Sequence, residues 1–317
     1  MEEQNLGRPR SPKEYLRLYL TGFAMGTADI IPGVSGGTIA FIMGIYDTLV
    51  DAIKSFNIGA IRLALGRKFA ELVDHVSLRF VIALGLGILS AVLLLSNLLG
   101  ELLETQPTFI FAFFGGLVFA SIVAILPDVK WSTVTLACLV VGSLLGFFIT
   151  GLEALDPTRV SHDYVTLFFS GSIAIVAMIL PGISGSFILL IIGQYQYVLD
   201  AVRNRDFLTL IVVALGCLVG IIAFSRVLSF LLHRFRAPTL AVLIGFLIGS
   251  LRELWEQAVY MKHPETGLID LSLPRTLDAG SIVIALVLIL VGFVIVTALD
   301  HVSSGNNIVV KRILRKA

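Results

Sequence analysis

Two stretches of this sequence set hydroxyl side chains and glycine amides side by side where a helix must break. The first is Asp29-Ile30-Ile31-Pro32-Gly33-Val34-Ser35-Gly36-Gly37-Thr38; the second is Met178-Ile179-Leu180-Pro181-Gly182-Ile183-Ser184-Gly185-Ser186. Proline fixes φ and has no N–H to donate, and glycine enters backbone conformations that other residues resist, so Pro-Gly stops a helix. The Ser that follows is a good N-cap for a new helix, its oxygen accepting from the first free amides. Each stretch therefore reads as helix, break, helix. The new N-terminus carries unpaired N–H groups and a partial positive charge, which suits an anion and above all a phosphate. The candidate binding residues are Gly33, Ser35, Gly36, Gly37 and Thr38 in the first stretch and Gly182, Ser184, Gly185 and Ser186 in the second. A kink that serves packing alone is the competing reading.

Charged groups inside apolar sequence are candidates of a different kind. Asp29 stands just before the first break, and Met178 replaces it in the second copy. It is a candidate coupling site for a proton or Na⁺, and equally a candidate cap for a local backbone group. Arg226 lies in the apolar run Phe207–Leu232 with no acidic residue within a helical turn. A guanidinium facing a cavity would be a phosphate ligand; one that snorkels to the interface would not. Arg252, Glu253 and Glu256 read as a solvated rim at a span end. Tyr46, Tyr195, Asp51 and Asp200 read as interface markers, and Gln194 and Asp47 carry no assignment.

The two breaks belong to an internal repeat. Residues 15–54 lie over 164–203 without a gap and match at fifteen positions, among them Gly22/Gly171, Gly44/Gly193, Tyr46/Tyr195 and Asp51/Asp200. The repeat extends further, because Gly85 precedes Pro107-Thr108 by the same interval as Gly216 precedes Pro238-Thr239. Paired interrupted helices in the two halves of a membrane protein are the pattern of a transporter's substrate site.

Composition supports that class. Of the 317 residues 57% are hydrophobic and 14% charged, against about 25% charged in soluble domains; mean hydropathy is +0.96. The expected fold is an all-α polytopic membrane protein. Its net charge of +1 points away from nucleic acid. Cys138 and Cys217 lie in apolar spans and read as packing residues, implying no disulfide, metal or cofactor. Arg8, Arg10, Lys13 and Arg17 precede the first apolar run much as in a signal peptide, but no clean cleavage site follows, and the segment reads as retained.

In order, the chain reads as a cytoplasmic tail (1–14) and a first repeat (15–151) made of a re-entrant hairpin (15–53), a polar connector (54–78) and three spans, Arg79–Gly100, Phe109–Leu126 and Trp131–Gly151. The hairpin arms, 17–31 and 38–53, are shorter than the roughly 20 residues a normal span needs. After the loop Leu152–Asp163, a second repeat (164–299) follows: a hairpin (164–200), then Phe207–Leu232, Thr239–Trp255 and Ala279–Leu299, with a cytoplasmic tail (300–317). A hairpin returns to its own side and three crossings end on the other, so the second repeat is inverted. Lys and Arg concentrate in the N-tail, the connector, His233–Arg236 and the C-tail, placing both termini in the cytoplasm; Arg203 and Arg205 are exceptions.

The motifs "ADIIPGVSGGTIAFIMGIYD" and "MILPGISGSFILLIIGQY" resemble those of the polyprenyl-phosphate transporter family, and the resemblance covers most of the chain. It implies a flippase of the bacterial inner membrane that recycles undecaprenyl phosphate, the lipid carrier of peptidoglycan and other cell-wall synthesis, and it implies roles for Pro32, Gly33, Ser35, Gly36, Pro181, Gly182, Ser184 and Gly185. The expected partners are that lipid phosphate, membrane lipids and a coupling ion, proton or Na⁺. The substrate fits the physics: an anionic head cannot cross hydrocarbon unaided, and neutral helix N-termini hold it without a tight grip. Two rival readings remain. A membrane polyprenyl-diphosphate phosphatase also uses Pro-Gly-Xaa-Ser, but its motif continues with Arg, whereas Ser35 and Ser184 are each followed by Gly, and no Glu lies in either hairpin core. A small-anion or ion-coupled solute transporter is the other.

The topology is open to test. Single cysteines in whole cells lacking Cys138 and Cys217 should label from outside at residues 106 and 156 and stay protected at 312; external labelling at 312 would overturn the inverted arrangement.

Overall fold

A computed structural model of the chain describes residues 9, 11–31, 33–152, 160–262 and 269–304. Pro32, the loop residues Glu153, Asp156 and Arg159, and most of both tails lie outside the described residues. Fourteen α-helices are found among those described. Six are long and apolar enough to cross a membrane: α6 (Leu78–Thr105), α7 (Pro107–Ile125, extended by a 3₁₀ turn to Asp128), α8 (Thr133–Thr150), α12 (Phe207–Arg234), α13 (Arg236–Val259) and α14 (Ala279–Ser304). They fall on the six spans expected from sequence. Each start has a local cause. Ser132 and Thr135 form a reciprocal capping box on α8, and the Asp206 carboxylate accepts from the Thr209 amide on α12. A single residue, Gln106 or Phe235, turns α6 into α7 and α12 into α13, with φ of −135° and −129° respectively.

The two segments expected as hairpins are more broken than that reading predicts. α1 (Pro12–Asp29) and α9 (Tyr164–Ile179) lead into the two Ser-Gly turns. Each second arm, expected as one helix, is two: α2 (Gly36–Ile42) with α3 (Tyr46–Lys54), and α10 (Gly185–Ile191) with α11 (Tyr195–Arg203). The extra breaks fall at Gly44 and Gly193, with φ of +67° and +71°, and α10 and α11 meet at 111°. The connector likewise forms two short helices, α4 (Ile58–Leu65) and α5 (Phe69–His75). An antiparallel ribbon, β1 (Tyr260–Lys262) with β2 (Ile269–Pro274), joins α13 to α14 and had no sequence signal.

Glycine brings the long helices together, as is usual where no water drives association. Methyl groups on Gly22 and Gly87 would lie 2.1 Å from the carbonyl oxygens of Leu84 and Tyr19, which seats α1 on α6. On α9 and α12 the same part is played by Gly171 against Val213 O (2.5 Å) and Gly216 against Phe168 O (2.0 Å). Across the halves, Gly116 and Gly292 pack α7 on α14 through Ile289 O and Phe113 O, and Gly245 and Gly142 pack α13 on α8 through Leu139 O and Val242 O. These contacts place Gly87, not Gly85, opposite Gly216: 216 − 87 = 129, the same interval that separates Gly116 from Gly245 and the start of α6 from that of α12. Gly85 meets nothing within 4 Å. The position related to Arg226 is accordingly Asn97. α7 and α13 are the most enclosed of the six long helices, while α6, α8, α12 and α14 turn Leu, Val, Ile and Phe outward.

The contacts predict a graded effect of added methyl groups. Gly87→Ala and Gly216→Ala should each destabilise the purified protein by roughly 1–3 kcal/mol through overpacking, and Gly85→Ala should be neutral. Thermal unfolding in one detergent checks the order.

Candidate functional site

The chain leaves α1 at Asp29 and enters α2 at Gly36, and two side chains reorganise that break. Ser35 caps α2 by accepting from the Gly37 amide at 3.1 Å. Asp29 reaches back across the turn and accepts from the Gly36 amide at 2.7 Å. The local-cap reading of Asp29 is thus realised: the chain's own carboxylate occupies the helix start where an external anion was expected. Met178 leaves the second turn without such a group, and α10 begins with no side-chain cap; Ser184 bonds instead to Ser186, Oγ to Oγ, at 2.8 Å.

The turns touch. Ser35 donates to Met178 O at 2.7 Å, Tyr46 donates to Ile179 O at 3.0 Å, and the Gly182 amide donates to Thr38 Oγ1 at 3.0 Å. The last carbonyls of a helix have no partner within it, so the first hairpin caps the end of α9. Ser35 is fully buried, and Thr38, Tyr46 and Ser184 are buried with it. Tyr46, expected as an interface marker, is therefore a buried cap, while its counterpart Tyr195 is half-buried. A methyl group on Gly37 would lie 2.7 Å from Ile179 O, so the glycine permits this approach.

Both turns stand on α13. Gly33 and Gly182 have φ of +79° and +87°, which glycine enters without strain. A side chain on Gly33 would meet the Glu253 carboxyl at 2.8 Å, and one on Gly182 would meet Ser250 Oγ at 2.9 Å. Ser250 and Glu253 lie about one helical turn apart, so the motif glycines share one short stretch of α13.

Glu253 corrects the reading of a solvated rim. It is 3% exposed, and neither carboxyl oxygen has a hydrogen-bond partner; Gln257 Oε1 is buried and unpartnered in the same way. Its neighbours do pair: Arg252 donates to Glu256 at 2.6 Å and lies over the Phe147 ring at 4.4 Å. A signal for this existed. Gly245, Gly249, Ser250, Glu253 and Gln257 recur at helical spacing on one face, and a small-residue face is a buried face in a membrane helix.

Other polar groups take supporting places. Gln194, unassigned from sequence, is fully buried; it donates to Ser161 O at 2.9 Å and bonds His162 Nδ1 at 2.8 Å, and that ring stacks on Tyr197. Asp163 caps α9 outside the spans, where the Ser161 hydroxyl and the Thr166 groups hold its carboxyl well below the usual range. Asp51 accepts from Ser229 at 2.6 Å and faces His233, and Lys54 donates to Ser229, tying α3 to α12. Asp47 pairs with Arg236. Asp200, matched to Asp51 by the repeat, pairs with exposed Arg203. Arg226 is not brought to the turns. It is exposed on α12 beside exposed Val227, whereas Ser225, Leu228 and Ser229 form the buried face. Among the described residues, no group of three His, Cys, Asp or Glu side chains is placed to hold a metal.

A family model described as undecaprenyl phosphate translocase-like matches residues 25–268. A polyprenyl-phosphate transporter of Vibrio cholerae is 42% identical over 242 residues, 76% of this chain and 78% of the relative. A polyprenyl-phosphate transporter of Staphylococcus aureus is 31% identical over 248 residues, 73% and 83% of the two chains. No solved structure matches significantly.

Tyr46→Phe should leave Ile179 O buried without its donor and destabilise the protein by about 1–3 kcal/mol. Tyr195→Phe should change little. Thermal melting of the two purified variants makes the comparison.

Proposed function

Because the chain belongs to the undecaprenyl phosphate translocase-like family, we propose that it carries undecaprenyl phosphate, or a closely related polyprenyl phosphate, across the bacterial cytoplasmic membrane. The observation that carries the mechanism is the meeting of two buried Ser-Gly turns on α13. The phosphate head is taken between these turns and the polyprenyl tail stays in lipid. The second turn offers Ser184, Ser186 and the uncapped start of α10. The first offers Ser35, Gly36, Gly37 and Thr38 once Asp29 lets go of the Gly36 amide. A carboxylate and a phosphate compete there for one donor, so Asp29 favours release of the head group.

The two halves are read as an inverted pair whose hairpins re-enter from opposite sides, with both termini cytoplasmic. In support, the helix contacts recur in both halves: α1 on α6 matches α9 on α12, and α7 on α14 matches α13 on α8. A phosphatase reading finds less support, since Ser35 donates to a backbone carbonyl and Ser184 bonds another hydroxyl, neither facing a general base. Arg226 serves at the lipid face, its charge drawn to headgroups.

Glycine substitutions are poor tests of binding here. A side chain on Gly36 would meet Asp29 at 2.6 Å, and one on Gly185 would meet Ala174 O at 2.8 Å, so both report packing. Ser184→Ala and Ser186→Ala are the sharper probes. In proteoliposomes, wild type should move radiolabelled undecaprenyl phosphate and leave inorganic phosphate and citrate behind. Each Ser variant should lose lipid-phosphate affinity by about tenfold, as for one charged hydrogen bond, and Arg226→Lys should match wild type. Movement of inorganic phosphate or citrate without lipid phosphate would overturn the reading.

A further inference from the structure

We infer that Glu253 and Gln257 form a buried oxygen site for one monovalent cation, a proton or Na⁺, whose occupancy is coupled to the Gly33 turn. The inference deepens the transport reading and rests on it for the coupling, though not for the site. Three buried oxygens, Glu253 Oε1, Glu253 Oε2 and Gln257 Oε1, have no hydrogen-bond donor. The two residues are four apart on α13 and so lie on one face. An ionised carboxylate only accepts, and a charge left alone in a buried place is strongly unfavourable. A set of acceptors without a donor is completed by a proton on the carboxyl or by an oxygen-liking cation.

Among the described residues, the surroundings supply no such positive charge. α7 and α8, which pack against α13, contain no charged side chain within their helical ranges. On α13 itself, Arg252 is turned to Glu256 and Phe147, and the charge that bears on Glu253 is the Glu256 carboxylate, which repels it. Asp29, from the end of α1, is directed to the Gly36 amide. Asp128 and Arg236 stand together toward the opposite end of α13. Arg275 lies past the near end, held by its amide to Val259 O; its Nε is buried without a partner.

The carboxyl lies directly against Gly33, where even a methyl group would come within 2.8 Å of Cδ and Oε1. A carboxylate that loses its cation must find water or donors, and it cannot swing without pressing on this turn. The turn is in turn bonded to α9 and to Gly182 through Ser35 and Thr38. Loading and unloading of Glu253 therefore bias whether the two turns stay closed on each other. A site of this kind lets a transmembrane gradient of the cation drive the lipid.

The test has two readouts on the full chain. On purified protein without lipid, infrared difference spectra across a pH step report protonation of a buried carboxyl, and ²²Na⁺ binding reports the alternative ion. Wild type should show one of these signals and Glu253→Gln should lose it, with melting temperature kept. In proteoliposomes, an imposed pH gradient without sodium and a sodium gradient at equal pH are applied separately. One gradient should accelerate wild-type movement of undecaprenyl phosphate by about tenfold, and Glu253→Gln should move lipid at a rate that ignores both. Gln257→Leu should shift the apparent cation affinity. Identical cation signals in wild type and Glu253→Gln, or a gradient response kept in Glu253→Gln, overturns the inference. Loss of the cation signal in Glu253→Gln with no lipid movement by wild type upholds the site and removes the lipid reading instead.

Discussion

A helix whose last turn is buried leaves carbonyls that must find partners within the protein, and α9 ends that way at Ile179. Its last carbonyls are satisfied by Ser35 and Tyr46, which come from the other half of the chain. Thr38 answers in the same place by accepting from Gly182. The broken helices are therefore tolerated because each break is the other's partner. Release of one turn exposes polar backbone in the second, which makes the pair behave as a unit rather than as two sites.

That unit needs a floor, and α13 provides it. The helix is held against α8 by Gly142 and Gly245 at near-backbone distance, and the Arg252 guanidinium lies over Phe147. Pinned in this way, it presents Ser250 to one motif glycine and Glu253 to the other. The floor is asymmetric although the contacts around it repeat. Asp29 has Met178 as its counterpart, and Glu253 has Ala124 at the interval of the long helices. Both carboxylates thus meet the first turn and neither meets the second. On the proposed reading this difference matters, since two identical turns would give a head group no reason to leave one for the other.

The physical logic suits a lipid phosphate. In the proposed site, hydroxyls and backbone amides would give directional donors without fixed positive charge, an arrangement that lets a head group be held and let go. Outward-facing Leu, Ile, Val and Phe on α6, α8, α12 and α14 keep the periphery compatible with an aliphatic chain. Among the described residues the ion pairs stand elsewhere, at the ends of α3, α11, α12 and α13 and in the connector, while the carboxyls beside the first turn are those of Asp29 and Glu253.

Much of this was legible in the residues. Composition determined the membrane class, apolar runs determined the six long helices, and Pro-Gly-Xaa-Ser-Gly, twice, determined where two helices break, because these properties are local. The repeat was legible as well, although its register beyond the hairpins was off by two residues: a glycine in sequence does not say whether it faces a neighbour, and Gly85 faces none. The second pair of breaks, at Gly44 and Gly193, stands in the sequence as matched glycines, but no proline beside them marks a helix end. Tertiary structure alone decided which atoms answer which. Ser35 and Met178 are 143 residues apart, and no local rule could join them. Asp29 sits at the helix start because the chain folds back on itself there. Glu253 is buried rather than rimming the span because α7, α8 and the first turn close around it, and burial is a property of what surrounds a side chain.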